Sequence, residues 1–267
     1  NYDKKIIDAG KRLKIIATAS TGTDHIDVDY AKEKGITVLS LKNDREFLNK
    51  VTGTAELAFL LMLALMRNLI PAAKSALDYC WTEKFRGHNL YQKTLGVVGL
   101  GRLGTMMARY GKAFGMDVLA FDPNIDESIF LEIGCKKVEF EELLKLSDVI
   151  SIHVHLSPET ENMFDKNTFD LMKNSAIIVN TSRGKIVNEK NLLSALSEKK
   201  IAGYGADVLA DELNFNKKFE NNSLIEYARK NENVIITPHV GGVTFESRSA
   251  TDIFIKKVAE EINNKSS

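Results

Sequence analysis

The chain has 267 residues, of which 44% are hydrophobic and 27% charged, and its 36 Lys and Arg balance 36 Asp and Glu. The length allows one large domain or two modest ones, and the composition is that of an ordinary globular protein. The charge balance lacks the basic character of nucleic-acid binders, so we expect no such partner. Two distant cysteines, Cys80 and Cys135, argue against a disulfide framework and favour a reducing, cytoplasmic setting.

We expect no signal peptide, and the longest apolar run, Leu57–Met66, is shorter than the roughly 20 residues that span a bilayer. We therefore expect no membrane partner and interpret this run as a buried helix, suited to a homodimer interface. The chain has no initiator Met, and its first residues resemble the end of a helix. We expect that part of the natural N-terminus precedes Asn1.

Apolar strand-like runs alternate with helical stretches, which predicts βα units around a parallel sheet. The first series predicts a strand at Leu13–Ala19, a helix near Val28–Lys34, a strand at Thr37–Leu41 and a long apolar helix from Thr54 to about Arg67. The segment from Pro71 to Tyr91 shows less regular patterning.

A second, tighter series predicts a doubly wound α/β sheet. Its short strands are rich in Val and Ile without alternation, as expected for burial on both faces. They are predicted at Leu95–Gly99, Asp117–Phe121, Val149–His153, Ala176–Asn180, Ala202–Val208 and Val234–Thr237. The helices are predicted at Leu103–Phe114, Phe140–Lys145, Lys166–Met172 and Glu189–Glu198.

A GxGxxG motif, GLGRLG, follows the first of these strands and opens a helix, a context that predicts a dinucleotide site. Gly99 permits the tight turn, Gly101 lets the backbone approach a pyrophosphate, and Gly104 lets helix and strand pack closely. Arg102 and Leu103 belong to the same helix N-terminus, whose N–H groups and dipole favour phosphate. A Gly-rich turn beside an unrelated surface Asp is the alternative.

Asp122 stands roughly 20 residues beyond this motif, at the end of the next predicted strand. A carboxylate there accepts hydrogen bonds from a ribose 2′-OH and repels a 2′-phosphate, which favours NAD over NADP. We therefore predict an NAD-binding Rossmann domain over residues 53–239. Residues 1–52 and 240–267 are predicted to form a second, smaller domain that the chain enters twice.

Five further segments resemble the D-isomer-specific 2-hydroxyacid dehydrogenase family, in the family's order and over nearly the whole chain. They are TGTDHID at 21–27, HVHLS at 153–157, NTSRG at 180–184, GADV at 205–208 with Asp211-Glu212 beyond it, and TPHVGG at 237–242. The resemblance, to phosphoglycerate dehydrogenase-like members, implies a Rossmann domain with a flavodoxin-like substrate domain that is incomplete here. The family's first strands are missing, Leu213 and His155 replace two of its prolines, and the loop at Leu41–Val51 is long.

The chemistry that the resemblance implies assigns roles to three residues. Oxidising a 2-hydroxy acid needs a base that titrates near neutral pH, which suits His239, although a buried turn histidine is the alternative. A carboxylate nearby raises the pKa of such a histidine. Family spacing from Asp207 favours Glu212 for this role over Asp211. The Arg183 guanidinium can bind the substrate carboxylate bidentately, the alternative being a surface ion pair.

The resemblance also implies that Asp207 accepts a hydrogen bond from the nicotinamide carboxamide, although an Asp that caps a turn is the alternative. His153 and Thr181 complete the predicted cofactor contacts. On resemblance, Gly22 and Thr23 present backbone N–H groups to the substrate carboxylate. A pair of histidines, His153 and His155, would share one strand face, but no third ligand is suggested, so no metal site is expected.

We therefore expect an NAD-dependent oxidoreductase acting on a small D-2-hydroxy acid or its 2-oxo acid. The family includes phosphoglycerate, glycerate and lactate dehydrogenases, and the sequence does not choose among them. A second hypothesis is an NAD(H)-sensing binding or corepressor protein, against which the retained Arg, Glu and His argue. A third is an isolated, inactive cofactor-binding piece.

Overall fold

The structure is a computed structural model, and it describes residues 2–20, 22–23, 25–41, 45–212 and 222–265. Within it the chain forms two compact units. The smaller comprises Asn1–Gly53 and Gly242–Ser267, so the chain enters it twice, and the larger comprises Thr54–Gly241. What each unit binds remains a prediction.

The smaller unit is built on two parallel strands, in which Ile15 pairs with Thr37. Its strands are β1 (Ile15–Ala17) and β2 (Thr37–Leu39), and its helices are α1 (Lys4–Ala9), α2 (Val28–Glu33), α3 (Arg45–Leu48) and α12 (Phe245–Lys265). Its core consists of small and branched apolar side chains: Ile7, Ile16, Ile26, Ala31 and Ile36. Both strands are shorter than predicted, because the hydrogen-bonded pairing covers only three residues in each.

The larger unit contains a seven-stranded, fully parallel sheet in the order β5-β4-β3-β6-β7-β8-β9. Its strands are β3 (Thr94–Val98), β4 (Asp117–Phe121), β5 (Lys136–Lys137), β6 (Val149–Ile152), β7 (Ile177–Asn180), β8 (Gly203–Ala206) and β9 (Val234–Ile236). The order reverses beside β3, the strand that leads into the glycine motif, as in a Rossmann fold. The predicted doubly wound α/β fold is confirmed.

Helices precede this sheet and connect its successive strands. They are α4 (Gly53–Met66), α5 (Leu69–Leu77), α6 (Arg102–Ala113), α7 (Glu127–Ile133), α8 (Phe140–Leu146), α9 (Lys166–Leu171), α10 (Glu189–Ser197) and α11 (Ser223–Ala228). Every residue of β6 and β7 is buried, as expected for apolar strands covered on both faces. In parallel sheets of this kind, ligands bind beside the loops that follow the carboxyl ends of the strands.

The long apolar helix α4 packs inside the larger unit and not mainly at an outer surface. Its Phe59, Leu61 and Met62 are buried in one cluster with Leu95 and Val97 of β3. The expected burial of this helix is observed within the larger unit, and its interface role stays a prediction. In the part of the chain that the structure describes, no single helix is long and apolar enough to cross a membrane. Only the pair α4 and α5, bent by 66°, meets the length and composition criteria together.

Several elements differ from the sequence prediction. Helix α5 begins at Leu69 and continues into the segment that shows little pattern, with Pro71 accommodated in its first turn. Strand β6 ends at Ile152, so His153 and His155 lie in the following loop, and the expectation that they share a strand face is wrong.

Among the described residues there is no cluster of three His, Cys, Asp or Glu side chains placed to hold a metal ion.

Candidate active site

The glycine motif forms the turn between β3 and α6, and each of its glycines has a separate physical requirement. Gly99 has a φ of +92°, a left-handed conformation that L side chains rarely adopt. A Cβ on Gly104 would lie 2.0 Å from the Gly99 carbonyl oxygen, so helix and turn approach too closely for any side chain. A Cβ on Gly101 would meet nothing within 4 Å. This open cradle fits a pyrophosphate.

The N-terminus of α6 points its amides into the same cradle. Gly101 is the N-cap residue and supplies no side-chain cap, and a helix N-terminus of this kind favours a bound phosphate. Arg102 and Leu103 are half-buried in this first turn. Burial lowers the pKa of the Arg102 guanidinium, which stays charged at neutral pH. The motif residues predicted to contact the cofactor thus lie together.

Asp122 follows β4, next to the glycine turn on the neighbouring strand. Its Oδ2 accepts a hydrogen bond from the Leu100 amide at 2.9 Å, and its Oδ1 accepts one from the Asn124 amide at 3.0 Å. A carboxylate has about four acceptor positions, so further positions remain for a ribose hydroxyl. Asp122 therefore anchors the glycine turn as well as marking the predicted ribose site.

Two buried polar atoms at the carboxyl ends of β6 and β7 have no hydrogen-bond partner within the described residues: His153 Nδ1 and Thr181 Oγ1. The other ring nitrogen of His153, Nε2, lies 2.8 Å from Ser151 Oγ. Burial lowers the pKa of His153 to about 4, so its ring is neutral at physiological pH. Orphaned polar atoms beside a glycine cradle are expected where a polar cofactor binds. The residues present therefore fit NAD.

The turn that carries Arg183 is held by side chains that the sequence analysis did not single out. Asn180, at the end of β7, accepts from the Ser182 amide and donates to the Arg183 carbonyl, both at 3.0 Å. Ser182 Oγ donates to the Ile152 carbonyl of β6 at 3.0 Å. Arg183 itself is half-buried, and its guanidinium donates to the Ser182 carbonyl at 2.7 Å. The arginine therefore projects from a turn fixed to two strands.

Glu212 and His239 are in direct contact, whereas Asp211, the alternative partner, is not in a hydrogen bond to the ring. His239 Nδ1 lies 2.7 Å from Glu212 Oε1. The second carboxylate oxygen of Glu212 accepts from the Leu209 amide at 3.1 Å, which orients the pair. The side chain of Glu212 is 15% exposed and that of His239 is 52% exposed. One ring nitrogen is thus fixed by a carboxylate while the histidine stays accessible.

Charges around His239 favour its protonated form. The hydrogen bond to Glu212 raises the pKa of His239, burial acts in the opposite direction, and the charges of Glu212 and Asp207 raise it further. The positive charge of Arg183 lowers the pKa of His239. The net result is a pKa above the ordinary histidine value. Such a group holds a proton near neutral pH and can release it.

Asp207, at the end of β8, holds the turn on which His239 lies. It is buried, and its carboxylate accepts from Thr237 Oγ1 at 2.5 Å, from the Val240 amide at 2.9 Å and from the Gly241 amide at 2.7 Å. His239 adopts a left-handed φ of +55°, which this network stabilises. The capping role weighed for Asp207 is therefore observed. One acceptor position remains for the predicted carboxamide contact, which stays a prediction.

The predicted substrate loop belongs to the smaller unit. There the Thr23 carbonyl accepts from the Ile26 amide at 2.9 Å, and the Gly22 carbonyl accepts from Ser20 Oγ at 2.7 Å. The neighbouring motif residues Thr21 and Asp24 lie outside the described residues, as does Leu213, the departure that follows Glu212. The role of Gly22 and Thr23 remains a prediction.

Comparisons with known proteins identify the family. Residues 59–241 match the family model of the D-isomer specific 2-hydroxyacid dehydrogenase NAD-binding domain. A Staphylococcus aureus protein whose name assigns it to the 2-hydroxyacid dehydrogenases is 37% identical, over 97% of this chain and 78% of its own length.

Two solved structures extend this result. The D-lactate dehydrogenase of Aquifex aeolicus, complexed with NAD and lactic acid, is 34% identical with a TM-score of 0.85, over 98% of this chain and 80% of that one. A glyoxylate reductase from Paecilomyces thermophila is 32% identical with a TM-score of 0.80, over 95% and 74% of the two chains. The chain therefore belongs to the D-isomer specific 2-hydroxyacid dehydrogenase family of NAD-dependent oxidoreductases.

Proposed function

We propose that this enzyme interconverts a small D-2-hydroxy acid and its 2-oxo acid, with His239 as the general acid and base, Glu212 tuning it and Arg183 binding the substrate carboxylate. The observation that carries the proposal is the 2.7 Å contact between Glu212 and His239. Similarity to a D-lactate dehydrogenase and a glyoxylate reductase supports a 2-oxo acid of small size. The member of this substrate class is left to experiment.

His239 moves the proton that the reaction requires. Glu212 occupies Nδ1, so the proton exchanged with substrate is the one on Nε2. During reduction, Nε2 donates to the carbonyl oxygen as it becomes a hydroxyl, and during oxidation it accepts the proton back. Bound NADH supplies the hydride to the substrate carbon, and NAD accepts it in the reverse direction. Glu212 stabilises the imidazolium between these steps.

Arg183 orients the substrate for this transfer. A planar guanidinium binds a carboxylate through two parallel hydrogen bonds, which fixes the adjacent carbonyl in position. Its turn is tied to β6 and β7, so the fork needs little reorganisation when substrate binds. Gly22 and Thr23 are proposed to present backbone N–H groups to a substrate carboxylate. In this assignment the smaller unit is the substrate domain and the larger unit is the NAD-binding domain.

The remaining cofactor contacts are assigned on the same basis. Gly99, Gly101, Gly104 and the first turn of α6, with Arg102 and Leu103, are proposed to hold the pyrophosphate. Asp122 is proposed to hold the adenosine ribose. His153, Thr181 and Asp207 are proposed to surround the nicotinamide half. The two unpartnered atoms of His153 and Thr181 support this last assignment.

We also propose that the enzyme is a homodimer and works in the reducing cytoplasm. Leu77, Tyr79 and Trp81 are 81%, 98% and 94% exposed, an exposed apolar group of the kind that oligomer interfaces cover. Cys80 and Cys135 are both free thiols, in keeping with a reducing compartment.

The proposed reaction is tested by following NADH oxidation with glyoxylate, pyruvate, hydroxypyruvate, 2-oxoglutarate and phosphohydroxypyruvate. We expect turnover on at least one of them, a lower rate with NADPH, and a product of D configuration. Absence of turnover on every acid, in protein that still binds NADH, would contradict the proposed reaction. A ranking led by the phosphorylated acid would change the substrate class from small uncharged side chains to anionic ones.

A further inference from the structure

Glu189 makes a long-range contact that neither the motifs nor the proposed mechanism uses. It is the first residue of α10, and its Oε1 accepts a hydrogen bond from the Ala210 amide at 2.8 Å. The side chain is half-buried. A carboxylate at a helix N-terminus commonly serves its own helix, but α10 already has a side-chain cap from Asn188, which accepts from the Asn191 amide at 3.1 Å. Glu189 is therefore directed to a different part of the chain.

The amide that Glu189 holds belongs to the turn that closes on Glu212. In this turn the Leu209 amide donates to Glu212 Oε2 at 3.1 Å, and the Glu212 amide approaches the Leu209 carbonyl at 3.3 Å. Ala210 follows Leu209 in this turn and lies between the two residues, Leu209 and Glu212, that make both contacts. A shift of the peptide that joins Leu209 and Ala210 would therefore move the carboxylate that contacts His239.

Gly184 lies against the same peptide. A Cβ on Gly184 would lie 2.0 Å from the Leu209 carbonyl carbon and 2.3 Å from the Ala210 nitrogen. The backbone next to Arg183 thus rests directly on the peptide that Glu189 binds. Close contact therefore prevents the peptide from moving towards Gly184. A shift of the peptide in another direction would stretch the hydrogen bond from the Ala210 amide to Glu189.

We propose that Glu189 is a positioning residue that holds the Glu212 turn against the Arg183 turn and so keeps Glu212 in contact with His239. The effect of Glu189 on catalysis rests on the proposed function, whereas the hydrogen bond between Glu189 and the Ala210 amide does not. The role requires an acceptor at Glu189 and not its negative charge. Among the described residues, the charged groups that shift the pKa of His239 are Glu212 and Asp207, which favour the imidazolium, and Arg183, which disfavours it.

The test compares Glu189→Ala with Glu189→Gln, because Gln keeps an acceptor oxygen and removes the charge. Glu127→Ala is the matched control: Glu127 is the first residue of α7, is exposed, and has the same position in its helix. Glu189→Ser is a second loss variant in case the alanine protein is unstable. The readouts are the His239 pKa from an NMR titration of its ring and the pH profile of kcat/KM for 2-oxo acid reduction.

We expect Glu189→Ala and Glu189→Ser to lower the His239 pKa by about one unit, because the stabilising carboxylate moves away. The midpoint of the pH profile should shift by the same amount, with KM for NADH within about twofold of wild type, since the glycine cradle is untouched. Glu189→Gln and Glu127→Ala should match the wild type in both readouts.

An unchanged His239 titration in the loss variants would overturn the inference, and so would an equal shift in Glu189→Gln, which would indicate a charge effect. The proposed function fails in a different way. If the titration shifts as expected but the wild type reduces no 2-oxo acid, the positioning role stands and the reaction does not. If the wild type is active and no variant shifts the titration, the reaction stands and the positioning role does not.

Discussion

The contact between Glu212 and His239 determines the pH at which the imidazole holds its proton. A carboxylate 2.7 Å from Nδ1 stabilises the charged ring, and the pKa of His239 is accordingly raised. Reduction of a 2-oxo acid needs the protonated ring, so its rate is retained below this pKa and is lost as pH rises through it. Oxidation needs the neutral ring and has the opposite dependence.

Glu212→Gln should therefore move both pH profiles to lower pH. The amide keeps a hydrogen bond to Nδ1 but loses the charge, so the pKa of His239 falls by about one unit. The fall in kcat/KM for reduction then begins at lower pH, and oxidation becomes possible at lower pH. Steady-state profiles in both directions measure this, and a profile unchanged in either direction would remove Glu212 from the proposed role.

Arg183→Lys should raise KM for the 2-oxo acid and lower kcat, each by roughly tenfold or more, because a lysine cannot form the two parallel hydrogen bonds of a guanidinium. Arg109→Lys is the matched control, since Arg109 is an exposed arginine on α6. Initial-rate kinetics with saturating NADH separate the two constants. Wild-type values in Arg183→Lys would show that the carboxylate binds elsewhere.

The sequence identifies residues whose chemistry is visible in their type, and it misses residues that act through backbone contacts. Glu212 was favoured over Asp211 on family spacing, and the structure brings Glu212 to the ring. Asn180 and Glu189 each bind an amide or carbonyl of a distant turn, and no local pattern marks such a partner. Only the folded chain brings Glu189 and Ala210, 21 residues apart, to hydrogen-bond distance.

Among the elements, the turn between β3 and α6 joins a folding requirement to a binding requirement. Gly104 allows α6 to contact the Gly99 carbonyl, whereas Gly101 faces open space. Two glycines of one motif thus have separable roles, and alanine at each position distinguishes them.

Gly104→Ala should destabilise the fold by about 2 kcal/mol or more, since its Cβ would overlap backbone that cannot rotate away. Gly101→Ala should keep the wild-type melting temperature within a few degrees but weaken NADH binding by roughly tenfold or more, because a methyl group would occupy the phosphate cradle. Thermal unfolding and NADH fluorescence titration measure the two effects. Equal losses of stability in both variants would contradict this division.

Strand prediction succeeds where a strand has a buried apolar centre and fails where pairing is short. The run at Asp117–Phe121 is predicted with the bounds that β4 has, and the three central residues of this strand are buried. Strand β5 has only two residues, both exposed lysines at the edge of the sheet, and carries no apolar signal. Helix α7 was missed before it, although it ends at Gly134 in the left-handed conformation typical of a helix end.

For the whole molecule, Leu77, Tyr79 and Trp81 are strongly exposed apolar side chains that lie close together in the sequence. The Leu57–Met66 run predicts a dimer through α4, and several α4 side chains pack in the core of the larger unit. We place the proposed interface on the segment that follows α5, because its side chains are the more exposed.

Replacing Tyr79 and Trp81 together by Ser should convert the proposed dimer into a monomer, because their loss removes most of the exposed apolar area in that segment. Leu131→Ser is the control, since Leu131 is 73% exposed on α7, away from this segment. Light scattering after gel filtration gives the mass. A wild type that is already monomeric at micromolar concentration would contradict the proposed assembly.

The most direct measurement is turnover by His239→Ala beside its affinity for NADH. His239 lies outside the glycine cradle, so NADH should bind with nearly wild-type affinity, while reduction of the preferred 2-oxo acid should fall by about 10² or more. That pairing of intact binding and lost turnover is what a general acid at this position predicts. Turnover within about threefold of the wild type would show that the proton comes from another group.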